Sequence, residues 1–76
     1  MRKVHFKWTD IAGHDGDAWQ ELATMKPAPF ECEAVGFVVY EDAKYVVIAQ
    51  DVAEGYCSGI TTYPRGCIGT ITQLLP

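Results

Sequence analysis

Two long apolar stretches separated by one polar turn constrain the fold of this chain more than any other feature. Residues 32–41 and 45–50 are rich in β-branched and aromatic side chains, and a polar turn, residues 41–44, lies between them. Gly36, in the middle of the first stretch, permits a sharp bend or a close approach of the backbone, as barrel corners require. We therefore expect a central β-hairpin covered on both faces, by the core on one side and by a helix or another subunit on the other.

Three further strands are expected around this hairpin. Residues 4–8 alternate apolar and polar side chains, which places Val4, Phe6 and Trp8 on one face. Residues 60–63 and 68–72 form the remaining strands, and the intervening Pro-Arg-Gly-Cys segment predicts a tight turn of the 3₁₀ type. Residues 51–58 contain a glycine and are interpreted as a loop.

One short helix is expected near the N-terminus, over residues 18–25. Asp17 is its candidate N-cap, and Trp19 is the candidate anchor of its apolar side to the sheet. Two prolines, Pro27 and Pro29, end it because neither can continue the hydrogen-bond ladder. The expected fold is α+β, a small, strongly bent five-stranded β-barrel with one short helix.

The length of the chain predicts one domain, residues 1–76, of marginal stability. Open small barrels leave unpaired strand edges, so we expect a homo-oligomer that forms through edge strands or an apolar face. No apolar run approaches the roughly 18 residues of a membrane span, and no signal peptide is evident. The sequence thus predicts no membrane partner and an intracellular location.

Charge and cysteine content narrow the expected chemistry. The formal net charge of −4 would repel a nucleic-acid backbone, so duplex DNA is not an expected partner. The three cysteines, Cys32, Cys57 and Cys67, are an odd number, which argues against a closed disulfide framework, and a zinc site would need a histidine from a distant segment. We therefore interpret them as small buried hydrophobes. The segment from His14 to Asp17 is interpreted as turn and cap chemistry rather than a metal site.

Catalysis and cofactors are not expected. No phosphate loop is present, and no third group would orient a cysteine–histidine pair. Binding has more support, because Arg65 in its turn could hold a phosphate while an aromatic ring stacks on a base. The candidate ligand residues are Arg65, Tyr63, Thr61, Tyr56 and Trp8, with Tyr40 and Thr62 as further candidates. The alternative is that the aromatic rings fill the core and that Arg65 pairs with an acid on the surface.

Two stretches of the chain resemble the paired motifs of Sm-like proteins. Residues 35–49 are similar to the first motif, a strand with a central glycine followed by a turn and an apolar strand. Residues 63–71 are similar to the second, an Arg-Gly pair followed by two isoleucines. This resemblance implies a small barrel of the SH3-like or Sm-like kind and, as one alternative function, an RNA binder.

The whole chain also resembles short accessory proteins of bacteriophages and prophages. The resemblance lies in Trp-Thr-Asp at residues 8–10, Cys-Glu-Ala-Val-Gly-Phe at 32–37 and Pro-Arg-Gly-Cys-Ile at 64–68. It implies a non-enzymatic counter-defence protein that sequesters a small nucleotide-type signal at a subunit boundary, in the cytoplasm of the host cell. The alternative in another class is a protein-interaction module that inhibits a host protein by edge-strand pairing.

Overall fold

The chain folds around one five-stranded antiparallel sheet. The structure, a computed structural model, describes residues 1–11 and 19–74. The strands lie in the order β4-β3-β2-β1-β5 and all pair antiparallel. Their bounds are β1 Lys3–Asp10, β2 Phe30–Glu41, β3 Tyr45–Ala53, β4 Tyr56–Pro64 and β5 Thr72–Gln73, with short 3₁₀ turns η1 at Leu22–Thr24 and η2 at Arg65–Cys67.

The alternation of side chains along β1 determines which face of the sheet packs. Val4 and Phe6 are fully buried, and Trp8 packs against them on the same face. Across the sheet they meet Val46 and Ile48 of β3, which complete the buried cluster. The prediction of a strand with Val4, Phe6 and Trp8 on one face is confirmed, and so is the 3₁₀ turn after β4.

The buried cluster lies on one face of the sheet, so the prediction that a helix covers the other face of the central hairpin is wrong, whereas cover by another subunit stays a prediction. On the opposite face Phe37, Val39 and Val47 are only half-buried, and the ammonium of Lys3 lies 6.0 Å from the centre of the Phe37 ring. No helix packs on that face among the described residues. The second cover expected from the apolar pattern is therefore absent from residues 1–11 and 19–74.

The predicted helix over residues 18–25 is wrong where the structure describes it. Only the three residues of η1 are helical, and Trp19, the expected anchor, is 91% exposed. A segment stopped by Pro27 two residues after its last apolar position is too short to recover the cost of helix nucleation without packing. Asp17 and Ala18, the expected cap and first residue, lie outside the described residues.

The predicted closed barrel is also wrong, because the sheet is open and the fold is all-β rather than α+β. β4 forms one edge, and β1 pairs with β2 and β5 but not with β4. The expected last strand, residues 68–72, is reduced to a single bridge between Trp8 and Ile68 and to the two residues of β5. So short a segment cannot close the gap between the edges of the sheet.

A tight turn replaces the loop predicted over residues 51–58. Ala53 pairs with Tyr56, so β3 and β4 are joined by Glu54 and Gly55 alone. Both turn residues have positive φ, 44° and 86°, as in the two-residue turns that match the twist of a hairpin. The polar residues around the turn belong to exposed strand ends rather than to a loop.

No helix in the described part of the chain has the length and apolar character needed to cross a lipid bilayer.

Candidate functional site

A cleft of about 230 Å³ lies between the end of β1 and the end of β4. These two strands are not neighbours in the sheet, so the cleft occupies the gap that a closed barrel would have sealed. Its walls are mostly apolar. The lining residues are Trp8, Thr9, Asp10, Ile11, Thr61, Thr62, Tyr63, Pro64 and Cys67.

Aromatic packing holds the two walls of the cleft in place. The Tyr63 ring meets the Phe6 ring edge to face, with centroids 5.1 Å apart, and meets the Trp8 ring at 5.3 Å. After η2 the chain returns to β1, where the Gly69 N–H donates to the Lys7 carbonyl at 2.8 Å. Tyr63 and Trp8 therefore form part of the core and line the cleft at the same time.

Among the described residues that line the cleft, the charged side chains include one carboxylate and no cation. Asp10 accepts a hydrogen bond from the Ile11 N–H through Oδ1 at 2.8 Å, and Thr61 and Thr62 are exposed on β4. A carboxylate repels a phosphate but accepts hydrogen bonds from amino groups. The cleft is thus suited to an uncharged, planar group that carries N–H donors.

Arg65 does not line the cleft. Its Nε donates to the Asp42 carbonyl at 2.7 Å, and one terminal nitrogen lies 3.1 Å from Oε2 of Glu41. Arg2 contacts the same carboxylate oxygen at 3.2 Å. Hydrogen bonds from the two guanidinium groups lower the pKa of Glu41. Arg65 therefore pairs with a surface acid, which is the alternative that the sequence left open.

The turn between β2 and β3, which Arg65 contacts, is held by hydrogen bonds to the Asp42 side chain. Asp42 Oδ1 accepts the backbone N–H groups of Lys44 and Tyr45, at 2.8 and 2.7 Å. These bonds and the Tyr40 hydroxyl, which donates to Oδ2 at 2.8 Å, lower the pKa of Asp42. The same bond raises the pKa of Tyr40. Tyr40, a further ligand candidate, is thus hydrogen-bonded to the turn.

Tyr56 lies away from the cleft, at the other end of β4. Its side chain is 82% exposed and borders a separate cavity of about 400 Å³, which also includes Met1, Val39 and Val52. Of the five predicted ligand residues, the structure brings together Trp8, Thr61 and Tyr63 and leaves Arg65 and Tyr56 outside. Sequence reasoning missed Asp10, although its position directly after the apolar–polar alternation of β1 could have indicated a strand end.

The three cysteines are free thiols, and their predicted burial is wrong in degree. Cys57 is exposed at the start of β4, because the strand is an edge with solvent beside it, and Cys32 and Cys67 are half-buried. Within residues 1–11 and 19–74 no three histidine, cysteine or acidic side chains form a cluster that could hold a metal ion. The segment from His14 to Asp17 lies outside the described residues.

No family model matches this chain, and no curated protein or solved structure shows significant similarity to it.

Proposed function

We propose that this protein is a non-enzymatic binding protein whose cleft between β1 and β4 takes the planar, base-like part of a small nucleotide-type ligand. The observation that carries the proposal is the convergence of Trp8, Thr61 and Tyr63 on one cleft. Aromatic walls suit a base because every base has a flat π-face. The threonine hydroxyls and the Asp10 carboxylate provide directional partners for the edge of the base.

The size and charge of the cleft restrict which part of such a ligand would enter. About 230 Å³ is less than the roughly 300 Å³ at which sites for whole drug-sized ligands begin, so the cleft takes a base-sized fragment. Asp10 at the cleft disfavours a phosphate, and Arg65 is already bonded to Glu41 and Asp42. The sugar and phosphate would therefore remain outside, and Arg65 would contact a phosphate only by exchanging Glu41 for it.

The resemblance to phage accessory proteins supports a more specific form of this proposal. A phage protein of this kind would sequester a nucleotide signal of host defence in the host cytoplasm, and binding alone would be sufficient for that role. No catalytic group is needed for it, since capture lowers the free concentration of the signal.

A thermal-shift screen tests the proposal with nucleosides, nucleoside monophosphates and cyclic dinucleotides of all four bases. A ligand at 100 times its dissociation constant adds about 2.7 kcal/mol of stability, which is a readily measured shift. With a hit in hand, Thr61→Val removes one hydroxyl of the cleft and should weaken binding, whereas Thr70→Val, outside the cleft, should not. Absence of a shift with every compound would contradict the proposal.

A second candidate function, protein interaction by edge-strand pairing, is favoured by β4. This edge strand of nine residues carries no charged side chain, whereas β1, β2 and β3 each carry at least one. Natural sheets commonly protect their edges with charges, and an uncharged edge is a template for another strand. The open edge of β4 is therefore the surface on which a partner strand would add.

A further inference from the structure

We propose that the open edge of β4 pairs with β4 of a second copy of this chain, in an antiparallel two-fold dimer that completes the β1–β4 cleft. The proposal rests on the edge-strand candidate for its contact and on the ligand proposal for the role of the cleft. Surface area, charge and backbone geometry favour a second copy of the chain as the partner.

The exposed area of the chain is large enough to supply a dimer interface. A folded monomer of 8.4 kDa exposes about 4,600 Å², and this chain exposes 6228 Å². Residues 19–29, which are all exposed, account for part of the excess. A standard interface covers only about 800 Å² on each partner, which is less than this excess.

Charge favours β4 over other surfaces for contact between identical copies. Two chains of net charge −4 repel each other, and the repulsion is least where the contact strands carry no charge. Two apolar side chains of β4, Ile60 and Tyr56, are 55% and 82% exposed and would lose solvent contact on pairing. A charged strand of another protein would form no ion pair with β4, because β4 has no charged side chain, so nothing in β4 selects for such a partner.

Hydrogen bonds at the end of the sheet show which backbone groups of β4 face outward. The Tyr45 carbonyl accepts from the Asp42 N–H, so Tyr45 directs its backbone groups towards β2 rather than β4. Its pairing partner Pro64 therefore points away from β3, and alternation makes Thr62 and Ile60 do the same. Ile60 and Thr62 thus present free N–H and C=O groups at the open edge.

These two residues determine the register of the dimer. Ile60 of one copy can exchange both backbone hydrogen bonds with Thr62 of the other only if the two-fold axis passes at Thr61. The two Thr61 residues then face each other as a non-hydrogen-bonded pair, and threonine pairs are favourable across antiparallel strands. Gly59, whose φ of 64° interrupts the ladder to β3, limits the regular part of the edge to residues 60–63.

This register brings the second copy to the cleft. Thr61 lines the cleft and lies on the axis, so the partner strand runs along its open side. Beyond Pro64, the hairpin tip of the second copy, with its exposed Tyr56, extends towards η2 and Arg65. The two predicted ligand residues that lie outside the cleft in one chain, Tyr56 and Arg65, thereby come to its boundary from two chains.

Sedimentation equilibrium and disulfide trapping test the dimer without any ligand. The wild-type chain should sediment with twice the monomer mass of 8.4 kDa, and Thr61→Lys, which places two ammonium groups across the axis, should restore the monomer mass. Thr70→Lys, on the same molecule but off β4, should remain a dimer. Circular dichroism checks that each variant is folded.

Trapping tests the register in a Cys57→Ser background, which removes the exposed thiol. Thr61→Cys should form an intermolecular disulfide, because directly opposed residues of a non-hydrogen-bonded pair lie about 4.5 Å apart at Cα. Ser58→Cys on the same strand should not, because six residues, or about 20 Å of strand, separate the two copies of residue 58 in this register. A monomer mass at all concentrations, or trapping at residue 58 and not at 61, would overturn the proposal.

The ligand screen separates this proposal from the proposed function. A monomer that binds a nucleotide would refute the dimer and leave the ligand proposal standing. A dimer trapped at residue 61 that binds none of the compounds would refute the ligand proposal and leave the dimer standing.

Discussion

Glu41 is the residue on which three distant parts of the sequence converge. Its carboxylate contacts Arg2 at the N-terminus and Arg65 in η2, and Glu41 itself ends β2. The position next to Asp42 in the turn adds a second acceptor for Arg65, the Asp42 carbonyl. A half-exposed network of this kind stabilises more than an isolated surface pair, because one ordered side chain serves two partners.

Acid should weaken the fold through this network. The pKa values of Glu41 and Asp42 are lowered in the folded state, so the folded chain binds fewer protons than the unfolded chain. The resulting stability is complete above the ordinary values of 4.5 and 3.8 and is lost as the pH falls through the lowered ones. Thermal melts between pH 7 and pH 2.5 at constant ionic strength measure it, with the expected loss starting below about pH 5.

Glu41→Gln should reduce the loss of stability at low pH, because it removes one of the two carboxylates whose pKa is lowered in the folded state. Glu21→Gln is the matched control, since the Glu21 carboxylate forms no ion pair within the described residues. Equal acid sensitivity of Glu41→Gln and wild type would contradict the role assigned to the network.

The thiols should differ in reactivity in the folded chain. Cys57 is exposed and should react first with a thiol reagent. Cys32 should react more slowly, because desolvation and the nearby carboxylates of Asp10 and Glu31 raise its pKa and reduce its thiolate fraction. Mass spectrometry of labelled peptides over time measures both rates. In denaturant the difference should disappear, and a folded-state order with Cys32 first would refute the assignment.

At the scale of elements, the contact between β2 and β3 depends on a missing side chain. Gly36 is buried, and a Cβ at this position would collide with the Ile48 side chain and lie 2.9 Å from the Ala49 carbonyl oxygen. The pairing of β2 moves from β1 to β3 close to this point, since Val35 pairs with β1 and Phe37 pairs with both. The glycine therefore permits the close approach of β2 to β3 at this point.

Gly36→Ala should destabilise the chain by about 1–3 kcal/mol, the usual cost of forcing an extra group into a packed site. Gly66→Ala is the matched control, because a Cβ there meets nothing within 4 Å and the change should stay within about 0.5 kcal/mol. Urea unfolding followed by tryptophan fluorescence gives both values. A neutral Gly36→Ala would show that β2 and β3 can separate at this point without loss.

At the scale of the whole molecule, the small core limits stability. Five hydrophobic residues are buried in the described chain, although apolar residues make up 49% of the sequence. A chain of 76 residues has a stability of about 4–11 kcal/mol when it folds normally. Each buried side chain therefore carries a large share of the total, and a partner that covers apolar surface adds to it.

Phe6→Ala should remove about 3–5 kcal/mol, because Phe6 is fully buried and contacts the Tyr63 ring. Such a loss approaches the total stability, so the variant should be partly unfolded at 25 °C. Phe30→Ala deletes the same side chain at a position that is 64% exposed and should cost far less. Chemical denaturation compares the two variants, and equal losses would refute the one-sided core.

Strand existence was predictable because it depends on local alternation and on β-branched residues. The side chains of β1 and the paired strands β2 and β3 follow from the sequence in this way. The candidate site was predictable in part, since Trp8 and Tyr63 are aromatic residues at strand ends. The pairing of Arg65 with a surface acid was one of two predictions from the sequence, but the identity of that acid was not predictable, because Glu41 lies 24 residues away and only folding brings the two together.

The sequence by itself determined β1 and its apolar face, the pairing of β2 with β3 and the 3₁₀ turn after β4, since each depends on residues a few positions apart. Only the tertiary structure decided that the sheet stays open, that the cleft lies between β1 and β4, and that Arg65 faces Glu41 rather than the cleft. These features depend on the approach of strands far apart in the chain. That approach is governed by the curvature of the sheet and by the length of the segment available to close it, which short-range patterns do not encode.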